Sequence, residues 1–164
     1  MRMSSESYSR MNALATKCFD ANALVDNLAY NLEYNYYPNI AKVVHLNVAH
    51  VLPLWADVVT DEMLLLGARP TRQPINGYDA EYKLPAENFS ALRVLMEDIR
   101  EEVRSLIESA DLAGDDEVRI FGEEFLVRVS PFLKQAEEWE TVAARMDPHT
   151  LDVHIDQYTS FIPH

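Results

Sequence analysis

Apolar positions along this chain recur at intervals of three and four residues, the period of helices that bury one face. Leu14, Cys18, Ala21, Val25, Leu28 and Leu32 form one such stripe, and Pro38 must interrupt the helix that carries it. A second stripe runs through Val44, Val48, Leu52, Trp55, Val59, Met63 and Leu66, with Gly67 and then Pro70 as the expected stop. Pro53 falls inside this helix, where it removes the hydrogen bond to the Ala49 carbonyl and predicts a bend or a restart. Between Gly67 and Pro85 the periodicity lapses, and Arg69-Pro70-Thr71-Arg72-Gln73-Pro74-Ile75-Asn76-Gly77-Tyr78 reads as turn and extended chain. A third helix opens at Pro85, turns Phe89, Leu92, Met96, Ile99, Val103 and Leu106 inward, and closes at Gly114. Asp115 and Asp116 are expected to cap a fourth. Its stripe is Val118, Phe121, Phe125, Val129, Phe132, Ala136, Trp139, Ala143 and Met146, with Pro131 as a second expected kink. A short fifth helix starts at Asp147-Pro148.

A long link without secondary structure inside a compact domain needs a reason, and running back along a helix pair to the far end of a bundle supplies one. Four long helices, short first and third connections and a long middle crossover predict an all-α, ferritin-like four-helix bundle with a short C-terminal fifth helix. The 164 residues fit one domain over 1–164, with the small polar residues 1–7 expected to be flexible. A composition of 48% apolar and 25% charged residues excludes disorder as the main state, and four glycines argue against a sandwich or barrel.

Charge narrows the partners. Fourteen Lys and Arg stand against 27 Asp and Glu, a net −13 that repels phosphate and attracts cations, so DNA binding is not expected. Cys18 is the single cysteine and has no internal disulfide partner, and no apolar run is expected to reach the length of a membrane span. A soluble cytoplasmic protein is the simplest reading. The chain has no Gly-rich phosphate loop, Cys-x-x-Cys, Gly-x-Ser-x-Gly or His-Glu-x-x-His, so hydrolase and nucleotide readings lack support. It also has no Glu-x-x-His, the element that places an imidazole beside bridging carboxylates in bundle di-iron centres, so that in-bundle centre is expected to be absent.

Helical projection of the second stripe places His50, Asp57 and Asp61 on one strip facing away from the core, beside a strip of Leu54, Val58 and Leu65. Either this is a solvated face or a second apolar surface covers it. If it is covered, the carboxylates require a cation, an arginine or protonation. Glu62 projects between Val58 and Trp55 on the apolar side, where a core ion pair with Arg128, near Glu102, is favoured over a remnant metal site. Asp26 and Glu33 share a strip beside the first core stripe, with Asn22 one turn earlier. His149, Asp152 and Asp156 align as either a weak cation site or a plain polar face.

Several runs carry a resemblance when read in order. Tyr30-Asn31-Leu32-Glu33-Tyr34-Asn35 is followed by Pro38-Asn39-Ile40 and His45, then by Asp57-Val58-Val59-Thr60-Asp61 before Leu66-Gly67-Ala68. Gln73-Pro74-Ile75-Asn76 and Ala113-Gly114-Asp115-Asp116 mark the crossover and the third junction. Together these resemble the Dps family, mini-ferritins known as DNA-binding proteins from starved cells. In that family the first helix ends in His-x-x-His-Trp-Asn, a short turn contains Asn-Phe, a histidine opens the second helix, and Asp-x-x-x-Glu precedes Leu-Gly-Gly. The resemblance covers nearly the whole chain and implies an iron site at a dimer interface, with Glu33 at a first-helix histidine position, His45 at the second-helix histidine, and Asp57 and Asp61 as the acidic pair. Glu33 puts oxygen where the family has nitrogen, and the family's next aspartate position falls near Ala49 or His50. The metal residues implied by the resemblance are therefore Glu33, His45, His50, Asp57 and Asp61, with Glu62 added as a candidate from the helical projection, iron as the metal and a homo-oligomer, at least a dimer and possibly a cage, as the assembly. The family's DNA contacts come from Lys/Arg-rich tails, whereas this N-terminus offers Arg2 and Arg10. Two functions remain open: an Fe(II)-oxidising, iron-sequestering protein, or a ferritin-fold structural or binding protein with a degenerate site.

Overall fold

The computed structural model describes residues 1–163. Four long helices, α1 (Ser5–Tyr34), α2 (Pro38–Leu65), α3 (Pro85–Ala113) and α4 (Asp116–Ala143), surround one apolar core, with a short α5 (Pro148–Val153) and a 3-10 turn at Ile155–Tyr158 behind them. No strand occurs among the described residues. Helix α1 packs against α2 and α3, and α3 against α4. Trp55 closes the ring from α2 to α4 with edge-on contacts to Phe125 and Phe132. The stripes read from the sequence are the buried faces, except that Ala143 and Met146, at the end of the fourth stripe, are half-buried.

The stops follow backbone chemistry. Gly67 and Gly114 end α2 and α3 with φ of +77° and +72°, left-handed conformations that a Cβ disfavours. Ser4 caps α1 by accepting from Ser7 N–H at 3.1 Å, and Asp147 caps α5 by accepting from Thr150 N–H at 3.0 Å. Asp115 stands at the start of α4 yet makes no capping bond there, a correction to the expected role. Its Oδ2 instead accepts from Ser4 N–H at 3.0 Å, Ser4 Oγ at 2.6 Å and Ser7 Oγ at 2.5 Å, tying α1 to the α3–α4 junction. Residues 1–7, expected to be flexible, also carry a bond from Arg2 N–H to the Leu66 carbonyl at 2.7 Å, and Met3 is buried. Asp152 of α5 is buried and takes Ile40 N–H at 2.9 Å and Asn39 Nδ2 at 3.0 Å, so it caps α2 from a distance.

The expected bend or restart at Pro53 is met two residues earlier, where a regular α-helical segment begins at Val51 with Pro53 in its first turn. Immediately before it, Val44–Ala49 forms a π-helical turn, closed by a bond from His50 N–H to the His45 carbonyl at 3.1 Å. The Ala49 carbonyl, which proline leaves without a partner, accepts instead from Asn22 Nδ2 of α1 at 2.8 Å. Pro131 likewise lies within a continuous α4.

Helix α2 also corrects the expectation about apolar length. Its 28 residues, Pro38–Leu65, include an 18-residue window of mean hydropathy 1.3, long and apolar enough by composition to cross a membrane, of which 44% is buried within the bundle. One face packs in the core while Leu54 and Leu65 are 60% and 67% exposed and Val51 and Val58 half-buried.

The crossover, residues 66–84, runs back along α1, whose polar face holds its backbone. Asn12 Oδ1 accepts Thr71 N–H at 3.0 Å and Asp20 Oδ1 accepts Asn76 N–H at 2.9 Å, while Tyr78 Oη donates to the other oxygen of Asp20. Asn27 and Asn31 both donate to the Ala80 carbonyl, each at 2.9 Å.

Candidate metal centre

Among the described residues the buried carboxylates of the bundle are Asp20 and Asp152, and no histidine is buried. Most buried polar residues have structural occupations: Asp20 and Asn12 hold the crossover, Asp152 caps α2, Ser7 reaches Asp115 and Gln135 takes the Phe161 N–H at 3.0 Å, while the Asn88 Oδ1 is buried without a partner. Burial pushes the Cys18 thiol up to about 12, against a smaller pull from Lys17, so the metal-binding thiolate is suppressed. No group of three or more His, Cys, Asp or Glu side chains able to hold a metal occurs among the described residues.

The implied ligands lie on the outer face of α1 and α2, in two groups. Glu33 and His45 line one cavity of about 240 Å³ together with Tyr30 and Lys42. His45 Nδ1 lies 3.5 Å from Asp26 Oδ1, and the His45 and His50 rings meet edge-on with centroids 4.4 Å apart. In a regular α-helix these two histidines would point about 140° apart at ~100° per residue. The π turn removes that angle, since its wider winding brings residues five apart side by side. His45 thereby joins the strip of His50, Asp57 and Asp61.

Asp57 and Asp61 form the second group, both exposed, and Asp57 lines a cavity of about 260 Å³ with Thr60, Phe19 and Arg72. From His45 to Asp57 the helix rises roughly 18 Å at about 1.5 Å per residue, so one chain does not bring the two groups together. Glu62 is half-buried on the side facing α4. Burial pushes its carboxyl above the ordinary range, and Glu117 and Glu124 push it further. The ion pair expected with Arg128 is not formed: no ion pair of Glu62 occurs among the described residues, and Arg128 is exposed. Likewise the His149, Asp152 and Asp156 alignment is no cation site, because Asp152 is committed to capping and His149 stacks on Tyr37 at 4.8 Å.

Sequence reasoning overlooked the two basic side chains beside these groups, Lys42 and Arg72. Arg72 sits in the crossover, and its guanidinium carbon lies 3.6 Å over the Phe19 ring. The polar ladder along α1 was also missed, although Asn and Asp at positions 12, 20, 27 and 31 mark one face of that helix.

No protein-family model matches the chain. No curated protein matches it either. Among solved structures it is similar to an open pore ferritin from the hyperthermophilic archaeon Archaeoglobus fulgidus, with a TM-score of 0.89 and 12% identity over 96% of this chain and 97% of that one. With the helix order, the long crossover and this superposition in hand, the chain folds as a ferritin-like helical bundle.

Proposed function

We propose that this is a Dps-like, iron-handling protein that self-associates through the outer faces of α1 and α2 and binds Fe(II) between two copies. The observation that supports this reading is the arrangement of the outer face, where Glu33, His45 and His50 are separated from Asp57 and Asp61 by exposed or half-exposed apolar residues including Leu46, Val51, Leu54 and Val58. Val51 lies midway in sequence between His45 and Asp57, and Pro53 midway between His45 and Asp61. A twofold axis crossing α2 there sets the imidazole group of one copy opposite the carboxylate pair of the other and covers the apolar strip. Carboxylates with imidazoles suit Fe(II). Two Fe(II) together give two electrons to one hydrogen peroxide, which with two protons becomes two waters, and the acidic surface then collects the two ferric ions.

The second reading, a ferritin-fold structural protein with a degenerate site, draws on the division of the ligands and on the basic residue beside each group. An Fe(II) titration with hydrogen peroxide as oxidant, followed by ferric absorbance, separates the two. Oxidation by the wild type that is lost in the Asp57→Asn/Asp61→Asn double variant supports the proposal. A wild type no faster than buffer refutes it and leaves the structural reading.

A further inference from the structure

Arg72 is the base and Asp57 the acid among the residues that line the 260 Å³ cavity between α1, α2 and the crossover. The other polar groups there are engaged with backbone or strap: Thr60 Oγ1 donates to the Asp57 carbonyl at 3.2 Å, Thr16 Oγ1 to the Asn12 carbonyl at 2.9 Å, and Thr71 Oγ1 accepts from Gln73 Nε2 at 2.7 Å. Arg72 itself is placed rather than free. Its head stacks on Phe19 at 3.6 Å, and the adjoining Thr71 N–H is held by Asn12 Oδ1 at 3.0 Å. No ion pair joins Arg72 to Asp57 among the described residues: the two line the same cavity, with the guanidinium stacked on Phe19.

From this geometry we infer that Arg72 is a tethered counter-cation of Asp57, one that a divalent metal taken by Asp57 with Asp61 must overcome and that holds the metal affinity of the two carboxylates down. The inference rests on the proposed function and adds its regulation: the crossover strap carries the charge that sets how tightly the α2 carboxylates take a cation. A positive charge on the wall of the cavity that a carboxylate also lines offsets part of that carboxylate's field, the more so at low salt. A divalent ion arriving there meets repulsion from the guanidinium, twice that felt by a monovalent one. The Arg72 stack on Phe19 keeps this repulsion in place, because swinging away costs the cation–π contact. The effect depends on charge and not on the shape of the side chain.

The test uses Mn(II), which is not oxidised by air at neutral pH, with free ion counted by electron paramagnetic resonance. Arg72→Gln is expected to bind Mn(II) about three- to tenfold more tightly than the wild type at low salt, while Arg72→Lys matches the wild type. Equal or weaker binding by Arg72→Gln overturns the inference. A metal-free arm reads the same charge pair through thermal melts of Arg72→Gln, Asp57→Asn and the double variant. Non-additive losses that become additive near ~1 M NaCl support the pairing, and strict additivity at low salt overturns it. Absence of Mn(II) binding in both wild type and Arg72→Gln removes the proposed metal site, and the metal-free arm then decides whether Arg72 is the counter-charge.

Discussion

Replacing Asn22 with alanine tests how the bundle accommodates Pro53 and, through it, how the candidate histidines are held. The Ala49 carbonyl is buried with its residue, and its regular helical donor is missing because position 53 has no N–H. The Asn22 amide at 2.8 Å replaces that donor. Asn22→Ala therefore leaves a buried carbonyl unsatisfied, which costs roughly 1–3 kcal/mol. For a chain of this length that loss lowers the midpoint of thermal unfolding by about 2–12 °C, at about 2–4 °C per kcal/mol. The control is Pro53→Ala, which restores an N–H within reach of the Ala49 carbonyl. By itself it costs about 0.4–1 kcal/mol through the greater freedom of the unfolded chain. In the Asn22→Ala background it is expected to restore part of the lost stability, so the double variant melts above the sum of the singles. Circular-dichroism melts of the four proteins give the complete cycle. An Asn22→Ala variant within about 0.3 kcal/mol of wild type, or a double variant with no rescue, refutes the account of this carbonyl.

Three further outcomes follow from the structure. Leu54→Glu, at a side chain 60% exposed in the single chain, is expected to leave the helical melt within about 0.5 kcal/mol of wild type while dissociating any self-association seen by light scattering; an unchanged oligomer or a monomeric wild type at micromolar concentration removes the proposed interface. Burial raises the Asp115 carboxyl, but the hydrogen bonds from Ser4 and Ser7 outweigh it and hold the native pKa below the ordinary aspartate value. A depressed native value means this stabilisation is present above the unfolded pKa and lost as pH falls through the native one, so the gap between wild type and Asp115→Asn in urea midpoint is expected to narrow in acid, and a gap constant from neutrality to acid contradicts the assignment. Finally, the net −13 and the sparse positive charge near the N-terminus predict no duplex DNA shift at about 150 mM salt, and a persistent gel shift there contradicts it.

The helices, their buried faces and their order were legible in the sequence because each depends on a local period. Leu14 through Leu32, Val44 through Leu66 and Phe89 through Leu106 repeat every three to four residues, and the glycines at 67 and 114 mark the stops by a property of their own backbone. The loss of a donor at Pro53 was legible for the same reason. The identity of the replacement donor was not, since Asn22 and Ala49 meet only when α1 packs on α2. Asp115, Asp152 and Asp20 follow the same rule: each looks like a local cap or a polar surface position, and each bonds a segment more than fifty residues away. In the candidate site the sequence placed His50, Asp57 and Asp61 on one outward strip, because that strip lies within one regular stretch of helix. His45 joined it only through the π turn, a change of winding that a period of 3.6 does not contain. Arg72 came to lie beside Asp57 for a different reason, because the crossover is held by side chains of α1 and no periodicity says where such a strap comes to rest. Periodicity is a property of neighbours along the chain, whereas the choice of polar partner is made when distant segments come together and every buried donor and acceptor must be matched.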